Sequence, residues 1–210
     1  MKILQNFVVF EGCDGSGTTT QLNMLEDSFL RGRPPLPVLH KTNEPTNGSI
    51  GKVIRAFLRE EITLQPETVA MLFAADRNEH IYGNGGIAER CGRGELVVSD
   101  RYILSSLVYQ GLLCGEELPS RLNQDFPRPQ TLIFFDIDPQ TAQDRMKGRD
   151  VKEIYEKLDF QIRVRERYKN LLPRFTSQGV MVEIIDASAP PEDVGRQVWQ
   201  IIQKLPIING

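Results

Sequence analysis

The residues best able to do chemistry sit in one short run near the start of the chain, Gly12-Cys13-Asp14-Gly15-Ser16-Gly17-Thr18-Thr19. The spacing is that of a phosphate-binding loop, G-x-x-x-x-G-K-[ST], at every position but one: Thr18 stands where lysine is expected. Glycines let a backbone wrap a phosphate with its N–H groups, and a helix starting behind them adds partial positive charge. Thr19 would offer its hydroxyl to Mg²⁺. The plainer alternative is a glycine-rich turn with a threonine capping the helix. If the loop is functional, the missing lysine matters, because one donor aimed at developing charge is worth ~3–4 kcal/mol. Either another cation supplies that charge or the loop binds without catalysing.

Further along, Phe73 and Arg77 are four residues apart and would share one helix face. An aromatic plane beside a guanidinium can stack a pyrimidine and donate to its carbonyl edge; a core Phe and an Arg paired with a carboxylate would give the same spacing. Asp100-Arg101 follows an apolar run, where a carboxylate can orient Mg²⁺ or its waters and an arginine can grip a phosphate bidentately. Asp136 and Asp138 read as a strand-end carboxylate and a helix cap rather than a metal pair. His40 and His80 have no spacing that suggests a metal or a triad. A switch GTPase is disfavoured, since no glycine follows Asp100 by three residues and no N-K-x-D motif occurs.

The elements that must position these residues alternate. Strand-like runs are expected at Phe7 to Phe10, Val38 to Lys41, Leu96 to Val98, Leu132 to Phe135 and Met181 to Ile185. Helical spacing falls between them: Thr19 to Phe29, Ile50 to Leu58, Pro66 to about Arg90 with a bend at Gly83 to Gly86, Leu104 to Leu113, one opened by Asp138-Pro139, one ending near Phe175, and Pro191 to Lys204. Strands separated by helices imply a doubly wound five-stranded parallel α/β sheet, with ligands beyond the strands' carboxyl ends. The 210 residues fit one domain. A net charge of −3 excludes a basic blanket for nucleic acid or anionic membrane, so phosphate chemistry must use local cations. No membrane-length apolar stretch or signal peptide is evident. Three cysteines, Cys13, Cys91 and Cys114, suggest neither a disulfide framework nor a zinc site, and a reducing cytoplasm is the simplest home.

Three blocks carry a resemblance. Phe10 to Gln21 resembles the thymidylate kinase opening F-E-G-x-D/E-G-x-G-K-S/T-T-Q. Leu72 to His80 resembles that family's L-F-x-A-D-R-x-x-H, and Asp100 to Gly111 its D-R-x-x-x-S-x-x-x-Y-Q-G. The blocks keep the family's order, and the resemblance runs over nearly the whole chain. It implies a nucleoside monophosphate kinase fold with a lid and transfer of the ATP γ-phosphoryl to dTMP with Mg²⁺. It also implies the usual homodimer. By this resemblance Phe73 and Arg77 hold thymine, Asp14 receives the sugar 3′-hydroxyl, and Ser105, Tyr109 and Gln110 line the nucleoside pocket, the tyrosine favouring deoxyribose. Arg101 grips the acceptor phosphate, and the loop from Gly12 to Thr19 holds ATP.

Two departures stand out. Thr18 replaces the loop lysine, and Thr42-Asn43-Glu44-Pro45 carries Asn43 where the family's T-R-E-P has arginine. Family members place a mobile lid at about residues 145–157, and some carry their catalytic cation there. With Ser16 uncharged, Arg149, helped by Lys147 or Arg145, is expected to supply the missing charge; a solvated charge run is the alternative. Adenine contacts are plausible at Asp186-Ala187-Ser188. A nucleotide-binding protein with little turnover, or a kinase for another monophosphate such as dUMP, would carry many of the same residues.

Overall fold

In the computed structural model, residues 2–32, 36–147 and 154–209 are described. Five strands form one parallel sheet: β1 (Ile3–Gly12), β2 (Leu39–Asn43), β3 (Leu96–Asp100), β4 (Arg128–Asp136) and β5 (Met181–Asp186), in the order β2-β3-β1-β4-β5. The helices are α1 (Thr18–Arg31), α2 (Ser49–Leu58), α3 (Pro66–Tyr82), α4 (Ile87–Gly92), α5 (Ile103–Cys114), α6 (Glu117–Leu122), α7 (Pro139–Met146), α8 (Leu158–Ser177), α9 (Pro191–Ile202) and α10 (Pro206–Asn209).

The alternation of β1 divides the core. Phe7 and Val9 face one side, with Val97, Leu132 and Phe134 and the helices α2, α3, α5 and α8. Val8 and Phe10 face the other, with Val98, Ile133, Phe135 and the helices α1, α7 and α9. Central strands buried on both faces read as continuous apolar runs, which is why β1, β3 and β4 were visible. The expected break near Gly83 separates α3 from α4. Asp138 caps α7 as expected, its Oδ2 accepting from the Thr141 N–H at 3.0 Å. Two short helices, α6 and α10, were not anticipated. Strand β1 also begins earlier than Phe7; its first residues pair with β4 across a register shift between Leu4 and Val8, around Asn6 at φ 63°.

The sheet order reverses at β1, so β1, β3 and β4 present their carboxyl ends together. Gly12, Asp100 and Asp136 end those strands, and Asn43 ends β2 in register with Asp100. The chemistry-bearing residues therefore meet at the switch point, as the topology requires.

Candidate active site

The loop after β1 turns back on itself, with the Ser16 N–H donating to the Cys13 carbonyl at 3.1 Å. Gly15 adopts φ +82°, and a Cβ there would lie 2.5 Å from the Ala142 carbonyl oxygen, so α7 packs directly on the loop. Helix α1 starts at Thr18 with Gly17 at its cap and no side-chain cap hydrogen bond. The threonine-cap alternative is thus not what the loop does, and the first-turn N–H groups have no competing side chain. A cavity of about 230 Å³ lies over the loop, lined by Cys13, Asp14, Gly15, Gly17, Thr18 and Thr19 and also by Asp100, Arg101 and Glu156. Burial pushes the Cys13 thiol up to about 12, so it stays neutral beside any phosphate. The Thr19 hydroxyl donates to Asp100 Oδ2 at 2.6 Å, and Asp100 Oδ1 is buried without a partner. A hydroxyl beside a carboxylate with one unpaired oxygen suits Mg²⁺, which takes few protein ligands and fills the rest with water and phosphate.

Arg101 follows at φ 71°, a left-handed conformation that costs an arginine about 1 kcal/mol or more. Three hydrogen bonds fix it. Its N–H donates to the Phe10 carbonyl at 2.8 Å, Ser99 Oγ donates to its carbonyl at 2.8 Å, and the next N–H, of Tyr102, donates to Glu11 Oε1 at 3.0 Å. The guanidinium reaches Asp14 at 2.5 Å and lies over the Tyr109 ring, 5.2 Å from its centroid. Glu11 anchors this corner. It also accepts from the Ser105 N–H at 3.2 Å, from Ser105 Oγ at 2.6 Å and from the Tyr168 hydroxyl at 3.0 Å. Burial pushes its carboxyl up to about 7, although Ser105, Arg101 and Tyr168 pull the other way. Gln161, in α8, donates to Asp14 Oδ2 at 2.7 Å and accepts from the Asp14 N–H at 3.2 Å.

The other wall is built from α3, α5 and the segment after β2. Arg77 is 1% exposed; it donates to Glu44 Oε2 at 2.5 Å, to Ser106 Oγ at 3.0 Å and to Asn123 Oδ1. Glu44 also meets His80 Nδ1 at 3.1 Å, and His80 Nε2 meets Thr42 Oγ1 at 2.6 Å. The adjacent Asp76 accepts from the Thr46 N–H and hydroxyl at 2.7 and 2.6 Å. Consecutive residues of α3 thus clasp the segment from Thr42 to Thr46. A cavity of about 910 Å³ opens here and brings together Asp14, Thr19, Phe73, Arg77, Asp100, Arg101, Ser105, Tyr109 and Gln110. Arg77 Nε and Gln110 Oε1 are buried without partners.

Not every expected residue joins them. Arg145 donates to the carbonyls of Ala187 and Ser188 at 2.8 and 3.1 Å, and Lys147 pairs with Asp144 at 2.7 Å while largely exposed. Neither lines either cavity. Arg149, with the rest of 148–153, lies outside the described residues. Asp136 is held by Arg165 and Lys169 at 2.6 and 3.4 Å. Burial would raise its carboxyl, but the Arg165 hydrogen bond and charge hold it below the usual range, an ion-paired role rather than a metal pair. Sequence reasoning passed over Glu11, Glu44, His80, Arg55, Ser106, Gln161 and Tyr168. Arg55 was legible as the cation of the next helix, and it lines the large cavity beside Asn43. Its guanidinium donates to the Pro45 carbonyl and to Asn47 at 3.3 Å, while its Nε is buried without a partner. Gln161 gave no signal, because its partner is 147 residues away.

Among the described residues, no helix is long and apolar enough to cross a membrane, and no group of three or more His, Cys, Asp or Glu could hold a metal alone. The family model described as thymidylate kinase matches residues 10–198. A protein named as a thymidylate kinase from Treponema pallidum is 38% identical over 193 residues, 91% of each chain. One from Pyrobaculum aerophilum is 38% identical over 200 residues, 95% of this chain and 97% of its own, and one from Methanococcus maripaludis 35% over 214, 98% and 99%.

Proposed function

The chain belongs to the thymidylate kinase family, and from that premise we propose how it moves the γ-phosphoryl of ATP onto dTMP, giving ADP and dTDP. The observation that carries the reading is a pair of buried polar atoms without a protein partner, the Arg77 Nε–H donor and the Gln110 Oε1 acceptor, on two residues that line the large cavity. Thymine offers the complement, carbonyl oxygens flanking a ring N–H. A base lacking that imide edge would leave both groups unpaired, at ~1–3 kcal/mol each. Phe73 gives the ring a face to stack on, and Tyr109 stands beside the sugar.

Arg101 grips the acceptor phosphate, its direction fixed by the locked backbone and by Asp14. Asp14 is also the group offered to the sugar 3′-hydroxyl. A phosphate oxygen is a competent nucleophile at neutral pH, so the site needs positioning and charge neutralisation more than a general base. The loop from Gly12 to Thr19 cradles the triphosphate of ATP with backbone N–H groups. Thr19 and, through water, Asp100 would hold Mg²⁺, which would supply positive charge against the phosphates. Arg149, with Lys147 or Arg145, supplies lid charge over the transferring group. The structure offers Arg145 another use, since its contacts with Ala187 and Ser188 put it where adenine contacts are expected. The whole chain works as one domain, as a homodimer in a reducing cytoplasm. The family's habit supports the dimer, and three free thiols suit the compartment. A light-scattering mass of about twice 23.8 kDa would establish the dimer.

Coupled ADP release measured across nucleoside monophosphates, with and without Mg²⁺, tests this reading. Turnover with dTMP far above that with dCMP or dGMP is expected, and no dTDP from ATP and dTMP would sink it. Removing Arg149 and Arg145 together should slow single-turnover transfer more than tenfold; a smaller loss would discard the lid cation.

A further inference from the structure

The resemblance implies two cations near the transferring phosphoryl, and this chain has Thr18 and Asn43 in their places. Among the described cations that line the large cavity, one stands on the same strand as Asn43. Lys41 is two residues earlier in β2, so its side chain leaves the same face of the strand. The register pairs Lys41 with Val98 and Asn43 with Asp100, whose carboxylate holds Thr19. Lys41 thus lies one pleat, roughly 6–7 Å, below the edge where the phosphates meet. Its flexible four-carbon stem can span that distance.

What holds Lys41 now is weak. Its ammonium contacts Glu26 Oε2 at 2.5 Å and Asn23 Oδ1 at 3.1 Å, both on α1, and the pair is 38% and 40% exposed. Exposed pairs of this kind contribute little, and a dianionic phosphate is a stronger attractor than one carboxylate. Asn43 is short, its amide donates to the Pro45 carbonyl at 2.7 Å, and it lines the large cavity together with Lys41.

We propose that Lys41 is the substitute cation of this chain, releasing Glu26 when substrates bind and placing its ammonium on the acceptor phosphate where an arginine at position 43 would stand. The assignment rests on the kinase reading of the site. It makes the departure at Asn43 a rearrangement, with the charge moved down the strand rather than lost.

The test compares Lys41→Met, Glu26→Gln, Asn43→Arg and the double variant Lys41→Met/Asn43→Arg in steady state with ATP and dTMP. Lys41→Met should lower kcat/KM for dTMP by about 10- to 100-fold with KM for ATP within about twofold. Glu26→Gln, which removes only the resting partner, should cost less than about twofold. Adding Asn43→Arg should recover most of the loss, which no merely structural role of Lys41 would allow. Equal losses in Lys41→Met and Glu26→Gln, or no rescue by Asn43→Arg, would overturn the proposal. So would an unimpaired Lys41→Met enzyme, which leaves the kinase reading intact. If the unaltered protein makes no dTDP, the kinase reading fails and this assignment falls with it.

Discussion

Arg101 lines both cavities, and its conformation is an unfavourable one made rigid. The left-handed backbone at φ 71° persists because Phe10 and Ser99 hold its N–H and carbonyl and Glu11 holds the N–H of the next residue, Tyr102. Glu11 is the member of that set whose charge can change, since burial pushes its carboxyl up from 4.5 to about 7. Between those values the folded protein keeps a proton that the unfolded chain has released. Its contribution to stability is therefore complete below about 4.5 and falls as pH rises toward 7, by at most about 1.4 kcal/mol per unit. Glu11→Gln removes the titration. Denaturant unfolding at several pH values should show the variant gaining on the unaltered protein from pH 5 to 7.5, and parallel curves would refute the assignment. At the loop the deficit is a charge, so Thr18→Lys should raise kcat by roughly tenfold or more in single-turnover transfer; a neutral result would mean the native site already neutralises its phosphates.

At the scale of elements, the acceptor wall depends on how closely α2, α3 and the segment from Thr42 to Thr46 approach one another. A Cβ on Gly51, in the first turn of α2, would lie 1.9 Å from the Thr46 carbonyl oxygen, so the helix rests backbone to backbone on this segment. Gly51→Ala must push it away, and with it Arg55 and the clasp of Asp76 and Arg77. We expect a loss of about 2–4 kcal/mol in denaturant unfolding and a dTMP KM raised about tenfold or more, with the ATP KM little changed. Equal rises in both would mean the damage is general. Elements of this kind were largely legible in the sequence, because buried parallel strands and capped helices leave local patterns, as Phe7 to Phe10 and Asp138-Pro139 do. The loop and the three motif blocks were legible too, since each keeps its residues close in sequence. What was not legible is the support behind them. Glu11 to Tyr168, Asp14 to Gln161 and Glu44 to Arg77 are joined across 157, 147 and 33 residues, and no local spacing announces such pairs. The contacts of Arg145 were not legible for a related reason, since a charge run says nothing about which carbonyls its members will meet.

Across the whole molecule, the sheet separates two cores, and the proposed reading sets one substrate mainly against each. The residues proposed for the nucleoside of dTMP, apart from Asp14, come from α3 and α5, packed on the face with Phe7 and Val9. The ATP loop leads into α1, which is tied to the start of α9 by Gln21 donating to the Pro191 carbonyl at 2.9 Å, and is braced by α7 at Gly15. Either ligand at a hundred times its Kd stabilises the fold by about 2.7 kcal/mol, so global stability cannot tell the two apart. Local opening can, because it reports the contacts each ligand adds. With dTMP alone, hydrogen exchange should slow in α3, in the first turns of α5 and around Thr42 to Thr46. With a non-hydrolysable ATP analogue alone, it should slow from Gly12 through the first turns of α1 and in α7. Asp100 and Arg101 stand between the two and should be protected by both. If each ligand protects the same set of amides, the sheet is not partitioning the substrates, and the two-sided site described by these cavities is one continuous pocket instead.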